Sequence, residues 1–170
     1  WRMGRESIEE TDEPGAVATA DRQVLGASVQ WYSKDTGKPS PFPIFEYGKG
    51  FSEESVQKVK MGEWTWETGM LRDQIDEAER VRDHGLLVVY SNWSYLKNRS
   101  SVKEKYSDLA LDWVAYIAGK RESRRLLGDH ILTQNDLLDE VQYTDGSAST
   151  SWSIDLHYPD PENSKFFAGE

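Results

Sequence analysis

Glycine placement is what most constrains the fold open to this sequence. A chain that grips a dinucleotide's pyrophosphate needs a glycine-rich turn between a strand and a helix, so that backbone N–H groups can approach the phosphates closely. The 170 residues include 13 glycines, yet no G-x-G-x-x-G run and no Walker A pattern occurs. The one close pair, Gly48 and Gly50, is followed by Phe51-Ser52-Glu53-Glu54, which sets acids where a phosphate would sit. The sequence holds no phosphate cradle, so its strands and helices have to be assembled in some way other than a self-sufficient nucleotide-binding unit.

A length of 170 residues suits a single domain, taken here as residues 1–170, with a sizeable core. Mean hydropathy is −0.73, and no apolar stretch approaches the roughly 20 residues of a membrane-spanning helix. Seven Trp, eight Tyr and five Phe argue for a packed interior rather than disorder. The net charge of −10 disfavours nucleic acid and anionic lipid as partners, because both demand a cationic surface. There is no cysteine, which excludes disulfides, thiolate chemistry and zinc-thiolate sites but leaves the compartment open. The sequence opens at Trp1-Arg2-Met3 without an initiator Met, as a cut end or a processed terminus would.

Periodicity predicts a mixture of elements. Val24 to Tyr32 reads as a strand with Val29 and Trp31 on one face and Gln30 and Tyr32 on the other. Asp35-Thr36-Gly37-Lys38-Pro39 is a turn, and Pro39, Pro41 and Pro43 demote the next stretch to an edge strand or ordered loop. Ser52 can cap a short helix over Glu53–Lys60. From Met70, the residues Leu71, Ile75, Ala78 and Arg82 share a helical stripe. That helix either stops at His84-Gly85 before a strand Leu86–Tyr90, or continues past the glycine with Leu86, Val89, Tyr90, Trp93 and Leu96 at helical spacing; the longer helix is preferred. Lys103 to Ala118 gives the best helical pattern, through Tyr106, Leu109, Ala110, Trp113, Val114 and Ile117. Arg124–Thr133 returns to period two, Thr133 offers an N-cap for a helix over Asp136–Glu140, and Ser149–Tyr158 alternates strictly. The expected class is α+β, a mixed or antiparallel sheet with several helices.

Several motifs invite chemistry and have plainer explanations. Asp35-Thr36-Gly37 matches the aspartic-protease tripeptide, but Ser33, Lys34 and Lys38 make it a solvated hairpin tip rather than the dry site such carboxylates require. Ser153, Asp155 and His157 share a strand face, where neighbours stand roughly 7 Å apart, too far for a hydrogen-bonded relay. His84, His130 and His157 have no metal-ligand spacing, so no metal site is expected. The acids from Asp73 to Glu79 suit a solvated helix face. Arg121, Arg124 and Arg125 around Glu122 form the one cationic cluster, either complementing a helix C-terminus or facing an anion.

The run from Asp112 to Asp129, centred on Gly119-Lys120-Arg121-Glu122-Ser123-Arg124-Arg125 and continuing through Ile131-Leu132-Thr133-Gln134-Asn135-Asp136, resembles a segment of bacterial FAD-dependent oxidoreductases, large glutathione-reductase-like flavoproteins. Trp152 to Pro159, Gly4-Arg5-Glu6-Ser7, and Trp64 to Gly69 with Arg72-Asp73 are similar to further segments of that family, in family order. The resemblance implies that FAD serves the intact protein, with flavin-binding segments lying before and after this stretch and no flavin held by this stretch itself. The region would then be the substrate-side part, lacking the Rossmann-type FAD domain. Its partners would be the FAD domain of the same parent chain and a small-molecule, sugar-related substrate, with no nucleic acid and no membrane. His157, Asp155 and Arg124 are the candidates for catalysis; Arg5 and Arg125 are those for cofactor contact. The alternative is a stand-alone carbohydrate-binding or other non-catalytic interaction module, which exposed rings at Trp31, Trp64, Trp66 or Trp93 would favour.

Overall fold

The structure, a computed structural model, describes residues 1–48, 50–58 and 67–149. Its organising element is the helix α2, Ala78–Asn98. Val81, Gly85, Val88, Val89, Asn92, Trp93 and Leu96 are buried along it, spaced three and four apart as a single stripe demands. The helix therefore runs through Gly85, as the longer reading predicts. A Cβ built on Gly85 would collide with Val29 Cγ2, so this glycine is where the preceding strand segment crosses closest.

In chain order the other elements are the short helix α1 (Ile8–Thr11), β1 (Ala27–Ser28), β2 (Trp31–Asp35), β3 (Glu67–Thr68), a 3-10 turn (Lys103–Tyr106), β4 (Leu109–Val114) and the short helix α3 (Gln134–Leu138). β1 pairs antiparallel with β3, and β2 antiparallel with β4. The described residues thus form a small α+β domain with two small antiparallel sheets and three helices. The expected strand over Val24–Tyr32 is divided: Ala27–Ser28 serves one sheet, and pairing resumes with a new partner at Trp31. The predicted faces hold, with Val29 and Trp31 buried and Tyr32 exposed. Val29, Trp31, Val89, Trp93, Leu96, Tyr106 and Ala115 make one core cluster, in which Trp31 meets Trp93 edge-on at 5.8 Å.

Side chains of α2 also hold segments that have no strand partner. Asn92 Oδ1 accepts the Gln57 N–H at 2.8 Å while its Nδ2 donates to the Gln57 carbonyl at 3.0 Å. Ser94 Oγ accepts from Phe45 N and donates to Pro43 O, and Asn98 Nδ2 donates to Phe42 O. The proline segment is therefore an ordered loop, its backbone satisfied from the helix rather than from a ladder.

Three expectations are corrected. The helix predicted over Lys103–Ala118 is instead the 3-10 turn followed by β4. Lys97 explains much of this. Its Nζ donates to the carbonyls of Tyr106, Ser107 (2.9 Å) and Leu109 (2.8 Å), oxygens that a helix would spend on its own i+4 amides. β2 then supplies ladder bonds, and Trp113 stacks on Tyr32 at 5.4 Å. Burial lowers the pKa of Lys97. The helix expected from Met70 begins only at Ala78: the Asp73 carboxylate accepts the N–H groups of Ile75 and Asp76, closing turns that compete with helix. Arg124–Thr133 is not a strand among the described residues, and its one bridge joins Arg125 to Arg2.

Thr133 does cap α3, its Oγ1 accepting the Asp136 N–H while the Asp136 carboxylate accepts the Thr133 N–H at 2.7 Å. Over Glu53–Lys60 the described part shows turns and a Val56 N–H donated to Ser52 O at 2.9 Å. The alternating run Ser149–Tyr158 lies, from residue 150 on, outside the described residues. No helix among the described residues is long and apolar enough to cross a membrane.

Replacing Gly85 with Ala gains about 1 kcal/mol of helix propensity but forces an overpacked contact with Val29 that costs about 1–3 kcal/mol. Net destabilisation is expected in urea denaturation. Adding Val29→Ala opens the space, so the two changes should depart from additivity by about 0.5 kcal/mol or more.

Candidate functional site

Three of the segments singled out in the sequence meet in space, joined by arginine–carboxylate pairs. Gly119 exchanges backbone hydrogen bonds with Ser28, 2.7 and 3.1 Å, which anchors the arginine-rich run to β1. Arg125 then exchanges backbone bonds with Arg2, 2.8 and 2.9 Å, laying the chain's first residues antiparallel to it. From these two anchors the side chains of Arg121, Glu122, Arg124 and Arg125 reach in different directions.

Arg121 pairs with Glu67 on β3, whose side chain is only 5% exposed. Glu122 accepts the Leu25 N–H at 2.9 Å through one oxygen and lies 3.1 Å from Arg125 Nε through the other. Arg125 also donates to Gly4 O and to Glu6 at 3.0 Å. Arg124 stands 4.0 Å from Asp73 and places its guanidinium over the Trp1 ring at 5.0 Å. Arg5 grips Asp21 with both Nε and a terminal nitrogen, 2.5–3.2 Å. Two separate Arg-Glu-Ser tripeptides, Arg5-Glu6-Ser7 and Arg121-Glu122-Ser123, thus contribute four of the charges to this lattice.

The carboxylates respond as such neighbours require. Hydrogen bonds from Arg5 hold Asp21 below its ordinary pKa. The Ser7 amide and then the Arg2 guanidinium draw Glu10 down to about 2. Backbone N–H donors at Asp76 and Ile75, with Arg124 behind them, lower Asp73.

The sequence candidates distribute unevenly. Arg5, Arg124 and Arg125 all belong to the lattice; Asp155 and His157 lie outside the described residues. Trp31 and Trp93 are buried in the core, and Trp64 and Trp66 fall outside the described residues. The carboxylate of Asp35 accepts the Gly37 N–H at 2.8 Å, a self-closed turn at a hairpin end. His130 Nε2 lies 2.7 Å from Tyr143 Oη and 3.3 Å from Asp136, which ties down α3. No group of three or more potential metal ligands occurs among the described residues. Sequence reasoning sets Glu122 amid the cationic cluster but misses the acidic partners Glu6, Asp21 and Glu67; the repeated Arg-Glu-Ser is the signal that could have flagged Glu6.

With this geometry in place the relationship is clear. A family model for FAD dependent oxidoreductases matches residues 1–169, and the chain belongs to that family. No curated protein and no solved structure matches it. The described residues themselves do not fit the pyrophosphate of FAD. Each lattice arginine that could meet a phosphate already faces a carboxylate, and the backbone around Gly4 is closed, since a Cβ there would fall on Asp21 O.

Carboxylates with depressed pKa values in the folded protein recover ordinary ones on unfolding. Their stabilisation is therefore full above the ordinary pKa and is lost as pH falls through the folded value. For Glu10 this window runs from 4.5 down to about 2. Thermal melts should show Tm falling across that range, and Glu10→Gln should flatten the fall. A Tm unchanged on acidification would contradict the pairing.

Proposed function

We propose that this region is the substrate-side part of an FAD-dependent oxidoreductase, shaping the pocket over a flavin that other segments of the same protein bind. The carrying observation is the apolar surface that flanks the arginine lattice on both sides. Ile117 is 78% exposed just before it, and Leu126 is 90% exposed just after it, accompanied by Tyr116, Leu127 and Leu132. Exposed apolar neighbours in the chain, such as Tyr116-Ile117 and Leu126-Leu127, suit a surface that works covered. In the intact enzyme the flavin would carry the hydride chemistry, and this region would exclude water and orient the substrate.

Within that reading Arg124 is the arginine left with the longest ion pair, 4.0 Å, and so the one suited to a polar or anionic substrate group. Asp155 and His157 complete the proposed polar set, and Arg5 and Arg125 act by holding the wall together rather than by touching cofactor. Two measurements test the proposal. Gel filtration of the 170-residue chain with FAD should return protein without yellow absorbance, and stoichiometric flavin in that peak would overturn it. In the flavin-loaded parent protein, Leu126→Asp should speed flavin loss several-fold, whereas an unchanged off-rate would remove Leu126 from the interface.

A further inference from the structure

β4 carries a bulge. Tyr32 pairs with Trp113 and Ser33 with Leu111, so Asp112 is the extra residue between them. Bulges re-aim side chains and recur beside binding sites. Here the bulge lies on a groove of about 390 Å³ between the proline loop, α2 and β4, lined by Phe42, Tyr90, Trp93, Asp112 and Trp113 among others. That volume falls within the roughly 300–1,000 Å³ of small-molecule sites. The groove's lining includes no residue of the arginine lattice.

Three features of the groove are chemically specific. Trp113, 43% exposed, is braced by stacking on Tyr32, while Tyr90 is braced by Phe45 at 6.4 Å; two aromatic rings are thus partly bare and fixed in place. The Asp112 carboxylate lines the groove and is neutralised by Lys34 at 2.5 Å, so the polar corner presents an acceptor with no net charge. Beneath the groove, Trp93 is fully buried and its indole closes the floor.

We infer that this groove binds a neutral, hydroxylated ring of pyranose type. Such a ring has an apolar C–H face to lie on a bare aromatic surface. Its hydroxyls can donate to the Asp112 carboxylate, whose charge Lys34 already balances. A charged ligand would leave one member of the Asp112–Lys34 pair opposed. A flat heteroaromatic base would use the rings and have no need of the pair. For a ligand of about a dozen heavy atoms, a dissociation constant on the order of 1–10 mM is the expected range.

The test is a titration of the 170-residue chain with methyl glucopyranosides, methyl galactopyranosides and, in a separate arm, adenosine, followed by the tryptophan indole resonances in NMR. At least one pyranoside should shift the Trp113 signal with millimolar affinity. Asp112→Asn and Trp113→Ala should each weaken that binding about tenfold or more, the Trp113 variants being followed through the Trp93 indole and the backbone amides of β4. Trp113→Phe, which preserves the stacking on Tyr32, should retain most of it and guards against simple misfolding. Leu138→Ser, outside the groove, should change nothing. No shift with any pyranoside, a shift that survives both groove substitutions, or a response to adenosine alone would each overturn the inference.

Discussion

Arg125 fastens the first residues of the chain to a segment more than a hundred positions away, and much of the domain depends on that closure. Its backbone pairs with Arg2 and its guanidinium reaches Gly4 O and Glu6. Glu122, three residues earlier, secures the Leu25 amide just ahead of β1. Two-residue strands such as β1 and β3 offer few ladder bonds of their own. Long-range charge-assisted bonds stand in for the sheet, each roughly twice as strong as a neutral hydrogen bond.

The same substitution runs through the other half of the molecule. Asn92, Ser94, Asn98 and Lys97 project from α2 to satisfy backbone groups of the flanking loops and of the turn into β4. A hydrophobic stripe fixes which side of the helix faces inward, and polar side chains at its margins fix where the chain goes next. Structure held this way leaves its arginines engaged. This is why an arginine-rich run in a family of flavoproteins reads here as scaffold, flanked by exposed leucines.

What the sequence makes legible is local. The spacing of Val89, Trp93 and Leu96 makes the helix visible despite Gly85, although its first turns bury Val81 rather than the Leu71, Ile75 and Arg82 stripe, and Thr133 with Asp136 spells its own cap. Val29, Trp31 and Tyr32 alternate as a half-buried strand must. β4 is hidden because Leu109, Trp113 and Ile117 fit a helical spacing while Leu109 and Leu111 also fit a strand. The decision lies with Lys97, an ammonium on another element, which periodicity does not register. The lattice is half legible: its cations stand out in an acidic chain, whereas the choice of Glu67 for Arg121, or Asp21 for Arg5, is settled only by folding.

Everything in this architecture turns on whether those pairs act as ties rather than as surface decoration. The most direct measurement is a double-mutant cycle on Arg121 and Glu67 by urea denaturation, using Arg121→Met and Glu67→Gln. With Glu67 only 5% exposed, each single change should cost about 2 kcal/mol or more, and the double should cost clearly less than their sum. Costs that add to within about 0.5 kcal/mol would mean that the two side chains are uncoupled, and the lattice would not be what holds these segments together.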